Sequence, residues 1–310
     1  MAKQKTVAVM DLGTNTFHLL IAQGTAANYT ELVHKSLPVK LGEGGINKGT
    51  IVPDAFKRGI DAMQQYEQDI TNSNVDAVRC VATSALRNAG NGQQFINEVK
   101  ELTRINIELI NGEQEAAYIY QGVKLAGSLG EQPSLIMDIG GGSVEFILCN
   151  ANEIFWKHSF EIGAARLMDQ FHQTDPIPLD SIAELHAYID EKLQALFEAC
   201  EKYSVTSIIG SSGAFETFAE IIELDKRHPF DLKNIKNYLF NTNELLMVTD
   251  KLIASSHSER KSMEGIVSIR VDMIVVASLL TRFVMEKLAV NTVQLCTNSL
   301  KEGILADLLD

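Results

Sequence analysis

The stretches Val9-Met10-Asp11-Leu12-Gly13-Thr14-Asn15-Thr16-Phe17 and Ile136-Met137-Asp138-Ile139-Gly140-Gly141-Gly142-Ser143 repeat one pattern. Each begins as an apolar strand, reaches an aspartate at the strand end, and turns on glycine and small polar residues. Each then enters a second apolar strand, over 17–22 in the first case and 144–149 in the second. Short apolar runs bounded by turn residues read as buried strands. A third strand is expected after each hairpin, over 29–39 and 153–160. A chain that opens twice in this way and continues with β–α units predicts an α/β protein of two related domains, facing one another across a cleft.

Working outward from the first hairpin, a helix is expected over 53–70, with Pro53 in its first turn. A strand over 77–82, a helix over 93–103, a strand over 105–110 and a helix over 113–126 come next. After the second hairpin, helices are expected over 164–171, 179–202, 214–225, 243–255 and 272–287. Strands are expected over 205–209 and 292–295, and a last helix over 301–309. Gly127, Gly130 and Pro133 punctuate the chain between the two series. They place the boundary between Gly122 and Gln132, giving domains 1–125 and 126–310, with the last helix (about 299–310) free to pack back on the first.

With 310 residues, each domain is large enough for its own core. No apolar run approaches the roughly 20 residues that span a bilayer. The opening MAKQKTVAVMDLGTN lacks the apolar segment and cleavage site of a secretory leader, so a cytoplasmic location is expected. A formal net charge of -13 argues against broad attraction to nucleic acid or an anionic membrane. Cys80, Cys149, Cys200 and Cys296 are far apart and form no C-x-x-C, so buried, reduced thiols are expected rather than a zinc site.

The chemistry sits in the hairpins. A glycine-rich turn lets backbone N–H groups converge on one spot, and such nests bind phosphate oxygens. Asp11 and Asp138, at the strand ends, are placed to hold Mg²⁺ beside a bound phosphate. One such turn alone would read as a plain hairpin; two, each with its acid, point to a site. Other phosphate and nucleophile motifs fail. Gly42-Glu43-Gly44-Gly45-Ile46-Asn47-Lys48-Gly49 has Asn before the Lys and Gly after it, so it is no Walker loop. Gly140-Gly141-Gly142-Ser143-Val144-Glu145 enters a strand and lacks the third glycine of a dinucleotide fingerprint. Gly210-Ser211-Ser212-Gly213 has the wrong spacing for a serine-hydrolase elbow.

These segments resemble, in order and over nearly the whole chain, those of the exopolyphosphatase/guanosine pentaphosphate phosphohydrolase family of the actin-like superfamily. Asp11-Leu12-Gly13-Thr14-Asn15-Thr16-Phe17-His18 resembles its D-x-G-[ST]-N-[ST]-x-[HR] opening. Thr83-Ser84-Ala85-Leu86-Arg87 resembles T-S-A-x-R. Gly112-Glu113-Gln114-Glu115-Ala116 resembles G-x-E-E-A, with Gln114 for the first acid. Asp138-Ile139-Gly140-Gly141-Gly142-Ser143-Val144-Glu145 is close to D-I-G-G-G-S-x-E. Gly163-Ala164-Ala165-Arg166-Leu167, Gly210-Ser211-Ser212-Gly213 and Asn298-Ser299-Leu300-Lys301-Glu302-Gly303 resemble later segments. Lys301 stands where the family often has Arg, and Val271 interrupts its R-A-D segment; both bear on substrate preference. The length resembles the short, two-domain form.

The resemblance implies two ribonuclease-H-like domains with the site between them, a homodimer, and Mg²⁺-dependent release of terminal phosphate from polyphosphate or guanosine pentaphosphate. It makes Glu115 the catalytic residue that handles the attacking water. A carboxylate in the first turn of a helix suits that task, although by residue type alone it also complements the helix dipole. Arg87, expected in a loop, offers a bidentate phosphate clamp. Gly13, Thr14, Asn15, Gly140, Gly141, Gly142, Ser143, Gly210, Ser211 and Ser212 complete the implied phosphate-binding set. Asp138, Glu145 and Asp11 form the implied metal set. Glu113 reads as a capping or supporting residue, Arg166 as a helix-face ion pair, Arg270 as a partner of Asp272, and His18 as a core or rim histidine. The alternative within the fold is an ATP-binding kinase or nucleotide switch. A metal-free scaffold would leave the paired acid–glycine turns unexplained.

Overall fold

A computed structural model describes residues 5–26 and 28–310; the first four residues, part of the opening read for a leader, lie outside the described residues. The chain divides into one compact unit of Met1–Leu125 with Leu300–Asp310 and a second of Ala126–Ser299.

The first unit runs β1 (Lys5–Leu12), β2 (Phe17–Thr25), β3 (Asn28–Leu37), α1 (Pro53–Ser73), β4 (Ala77–Ala82), α2 (Ser84–Asn88), α3 (Gly92–Thr103), β5 (Ile107–Leu109) and α4 (Gly112–Leu125). Its sheet has the order β3-β2-β1-β4-β5. β1, β2 and β3 pair antiparallel, whereas β4 and β5 add on in parallel. Val7, Ala8, Val9, Met10 and Leu12 of β1 are all fully buried. A near-continuous apolar run is what a central strand covered on both faces requires. On one face Met10, Leu12, Phe17 and Leu19 pack with Met63 and Tyr66 of α1 and Phe95 and Val99 of α3. The Tyr66 hydroxyl donates to the Phe17 carbonyl at 2.6 Å, so its polar end is satisfied inside the core.

The second unit repeats this plan: β6 (Ser134–Ile139), β7 (Val144–Cys149), β8 (Ile154–Phe160), α5 (Ala164–Phe171), α6 (Leu179–Lys192), α7 (Gln194–Cys200), β9 (Ser207–Ser211), α8 (Gly213–Asp225), β10 (Asn237–Leu239), α9 (Thr242–Ala254), α10 (His257–Ser262), α11 (Ile274–Leu288) and β11 (Val293–Cys296). Its sheet order is β10-β11-β9-β6-β7-β8. β6-β7-β8 are antiparallel and β6-β9-β11 parallel, the arrangement of the first sheet, with β10 added antiparallel at the edge. Even the irregularity recurs: the second and third strands shift register at Ile21/Ala22 in one sheet and at Leu148/Cys149 in the other. Two units that share this strand plan make the chain a mixed α/β protein with two sheets. α12 (Leu300–Leu309) ends the chain and belongs to the first unit, where it packs on α4 and β1.

Four local expectations are corrected. Arg87 lies in a short helix, α2, not a loop. The helix expected over 179–202 is interrupted at Leu193, whose ψ of 11° opens the turn. β10 and α10 were not anticipated: the first is a three-residue edge strand, the second a run of polar residues. The four cysteines are free and buried. Burial pushes the Cys149 thiol up to about 12 and that of Cys200 to about 11, which leaves them inert. No helix among the described residues is long and apolar enough to cross a membrane.

Candidate active site

In the second unit, the turn between β6 and β7 is held by its carbonyls. The N–H groups of Ala164, Ala165 and Gly163 donate to the carbonyls of Gly140 (2.9 Å), Gly141 (2.9 Å) and Gly142 (3.2 Å). Arg166 Nε adds a fourth bond, to Gly142 O at 2.8 Å, and its Nη2 pairs with Glu161 at 3.0 Å. A peptide is planar and trans, so each C=O points opposite to the N–H of the next residue. With these carbonyls turned to the start of α5, the N–H groups of Gly141, Gly142 and Ser143 face away from it, and no described residue accepts from them. Unengaged backbone N–H groups converging on a turn have the form of an anion nest. Gly163 makes it possible: a Cβ there would lie 2.4 Å from the carbonyl carbon and oxygen of Gly141.

Beside the nest stand two buried carboxylates. Asp138 and Glu145 are directly paired across β6 and β7. Parallel pairing of β6 with β9 sets Ser211 next to Asp138, and the Ser211 hydroxyl donates to Asp138 Oδ2. Ser299 donates to the same oxygen at 2.6 Å. Ser159, opposite Glu145 on β8, donates to Glu145 Oε1 at 2.6 Å. Ser212 turns its hydroxyl back to Ile139 O at 3.0 Å instead of capping α8, and holds φ at 68°, a backbone state that L residues seldom adopt. Thus the second unit gathers Asp138, Glu145, Ser211, Ser212 and Gly140–Ser143 of the expected set.

The first unit builds its turn in the same way. Gly42 N donates to Thr14 O at 3.0 Å, Lys40 N to Asn15 O at 2.7 Å, and Gly13 N to Thr16 O at 3.1 Å. A Cβ on Gly13 would come within 2.9 Å of Thr16 O, and one on Gly140 within 2.9 Å of Ser143 O, the equivalent atom. Thr14 Oγ1 is buried and has no hydrogen-bond partner, an orphaned donor in the turn itself. Asp11 sits across from His18, whose Nδ1 lies 2.8 Å from the Ser36 hydroxyl.

Arg87 and Glu115 meet. Arg87 Nη1 donates to Glu115 Oε2 and to Ile110 O, both at 3.0 Å, and Glu115 is buried. The clamp and the water-handling acid expected separately are therefore one ion pair, largely withdrawn from solvent. α4 is aimed by its cap: Asn111 Oδ1 accepts from Gln114 N and Gln114 Oε1 accepts from Asn111 N, each at 2.9 Å. This reciprocal cap opens the helix, and it gives the departure from acid to Gln114 a structural role.

One further expectation changes. Arg270 pairs with Glu216 at 2.6 Å and Thr217 at 3.0 Å, while Asp272 lies 3.1 Å from His257 Nε2. Arg260, not singled out from the sequence, is buried and holds Asp175 at 2.7 and 3.2 Å. Ser256 and Glu259 form a capping box ahead of it, a spacing that was legible. Ser159 and Ser299 were also missed as carboxylate partners.

Known proteins match this arrangement. The model of the Ppx/GppA phosphatase family matches residues 20–310. The guanosine-5'-triphosphate,3'-diphosphate pyrophosphatase of Aeromonas salmonicida is 25% identical over 302 residues, which are 97% of this chain and 59% of that protein. The chain therefore spans 59% of the length of that curated relative. A crystal structure of an exopolyphosphatase from Cytophaga hutchinsonii superposes with a TM-score of 0.96 at 40% identity, covering 99% of this chain and 98% of that one. The Ppx/GppA family member of Aquifex aeolicus, at 22% identity, shares the fold with a TM-score of 0.81 over 99% of this chain and 98% of its own. With the acid–glycine hairpins in place in both units and the family pattern running from β2 to the last residue, the chain belongs to the Ppx/GppA phosphatase family.

Proposed function

We propose that the protein hydrolyses a terminal phosphoanhydride, releasing phosphate from inorganic polyphosphate or the 5′-γ-phosphate of guanosine pentaphosphate. One observation carries this reading: two buried carboxylates, Asp138 and Glu145, paired across strands beside a turn whose N–H groups face outward. The donors suit Mg²⁺, a hard cation commonly held by one or two carboxylates and completed by water and substrate phosphate. Asp138 and Glu145 would hold it, with Asp11 as an accessory acid. Among the described residues no group of three or more His, Cys, Asp or Glu stands together as a metal cage, so a cation on this pair would draw the rest of its shell from water and substrate. Bound there, Mg²⁺ neutralises phosphate charge.

The remaining steps belong to the chain's own groups. The nest of Gly140, Gly141, Gly142 and Ser143, the turn of Gly13, Thr14 and Asn15, and the Gly210-Ser211-Ser212 loop bind and orient phosphates. Glu115, its carboxylate fixed by Arg87, orients a water in line with the terminal phosphorus and takes its proton as the P–O anhydride bond breaks. The net charge of -13 opposes a polyanion, so substrate capture depends on local donors and cations and weakens with salt. The same reading, on the family resemblance, makes the protein a cytoplasmic homodimer.

The test is phosphate release from short polyphosphate, long polyphosphate and guanosine pentaphosphate in parallel, by the parent and by Glu115→Gln. Release needs no acceptor other than water, and the variant loses about 10²–10⁴-fold in turnover. Undiminished release by the variant removes Glu115 from the chemistry; loss of ATP only when an acceptor is added makes the protein a kinase.

A further inference from the structure

Asp138 is held in an unusual way for an acid assigned to a cation. Both hydroxyls that reach it, from Ser211 and Ser299, donate to Oδ2, and no described residue donates to Oδ1. A carboxylate oxygen has two in-plane lone pairs. Two O–H donors fill those of Oδ2 and leave Oδ1 as the oxygen that can face a cation. The two serines come from far apart in the chain, β9 and the segment just before α12, so the clamp is a product of the fold and not of a local turn. The neighbouring acid also takes a serine hydroxyl, Ser159 donating to Glu145 Oε1.

Resting on the assignment of Asp138 to the metal, we propose that Ser299 and Ser211 are positioning residues that set cation choice by denying the ion the second oxygen of Asp138. Mg²⁺ demands a small, near-octahedral shell and takes carboxylates through one oxygen. Ca²⁺ is larger, accepts six to eight ligands and readily takes both oxygens of one carboxylate. A clamp on Oδ2 removes that option and disfavours Ca²⁺. Take the hydroxyls away and Asp138 offers two oxygens, which favours the larger ion.

Mn²⁺ bound to the intact protein, followed by its paramagnetic resonance and displaced by Mg²⁺ or Ca²⁺, reads this directly without turnover. Mg²⁺ should displace Mn²⁺ from the parent at lower concentration than Ca²⁺ does. In Ser299→Ala, and more so in the Ser211→Ala, Ser299→Ala pair, the ratio of Ca²⁺ to Mg²⁺ affinity should rise about tenfold, the effect of losing a hydrogen bond to a charged group. Ser299→Thr keeps a hydroxyl and should keep the parent ratio. A ratio unchanged in Ser299→Ala and in the pair, with Mn²⁺ still bound, overturns the clamp while leaving Asp138 as a ligand. Parent-like Mn²⁺ binding by Asp138→Asn overturns the assignment of Asp138 itself, and the proposal with it.

Discussion

The two acid–glycine hairpins share a backbone and differ in what stands around the acid. Gly13 and Gly140 meet the carbonyls of Thr16 and Ser143 at the same separation. In both, the segment after the third strand donates to the turn carbonyls, from Lys40 and Gly42 in one unit and from Gly163 and Ala165 in the other. The side chains diverge. Across from Asp11 is His18; across from Asp138 is Glu145. The parallel neighbour of Asp11 is Val81, fully buried and apolar, where Asp138 has Ser211. Hydrogen bonds between backbone groups survive sequence drift, because any residue supplies them. Charge does not, and a second carboxylate, Glu145, stands across from Asp138 where His18 stands across from Asp11. On the proposed function, that contrast makes the second hairpin the main holder of the cation and leaves Asp11 an accessory.

The hardest test of that division is to remove each acid. Asp138→Asn should cost about 10³-fold in phosphate release, the scale of several kcal/mol of charge stabilisation in the transition state. Asp11→Asn, with no second carboxylate across from it, should cost at least about tenfold less. Equal losses in a steady-state assay at saturating Mg²⁺ would mean that the two hairpins share the cation and that the comparison is wrong.

Next in size is the support of the turns. Gly163 and Lys40 occupy equivalent places, yet the demands on them are opposite. Gly163→Ala drives a Cβ into the backbone of Gly141 and Gly142, which cannot yield without opening the nest. It should destabilise by roughly 3 kcal/mol and weaken phosphate binding together. Lys40 holds φ at 50°, where a side chain is strained, so Lys40→Gly should be neutral or stabilise by up to about 1 kcal/mol. Denaturant melts of both variants decide whether the second turn is the more tightly specified.

The same contrast separates the parts of the molecule that are legible in the sequence from those that are not. The hairpins are legible because apolar runs, an acid and a turn recur together, and strands covered on both faces are mostly apolar. The short helix α2 that carries Arg87 reads as a loop because five residues are too few for a helical period, and no side chain caps the start. The break at Leu193 carries neither glycine nor proline and so leaves no mark. Ser211, Ser299 and Ser159 reach their carboxylates only through strand register and the path of the chain before α12, and a serine signals no partner from its own position. The ion pair of Arg87 with Glu115 is likewise set by tertiary packing, with the two residues far apart in sequence.

The smallest expected effect is on pH, and it separates the units by the segment that comes after each third strand. In the first unit the turn carbonyls rest on a non-helical turn at Lys40 and Gly42; in the second they rest on the start of α5, and His172 comes immediately after that helix. Burial, with Arg260 adding to it, holds the His172 imidazole below its usual range, against the pull of Asp175. Burial does the same to His186 on α6, opposed by Glu286. Both are therefore neutral in the folded protein at neutral pH, while the unfolded chain takes up their protons near the ordinary histidine value of about 6.5. The unfolded state then binds more protons, so stability is full above that value and is lost as pH falls toward the depressed folded values. Denaturant midpoints should be level above about pH 7 and decline by about pH 5.5, and His172→Gln should flatten part of the slope. Hydrogen exchange at about pH 5.5 should rise first in α5 and the turn it supports. Exchange rising first around Gly13 to Thr16 instead would place the acid-labile support in the first unit and reverse the comparison.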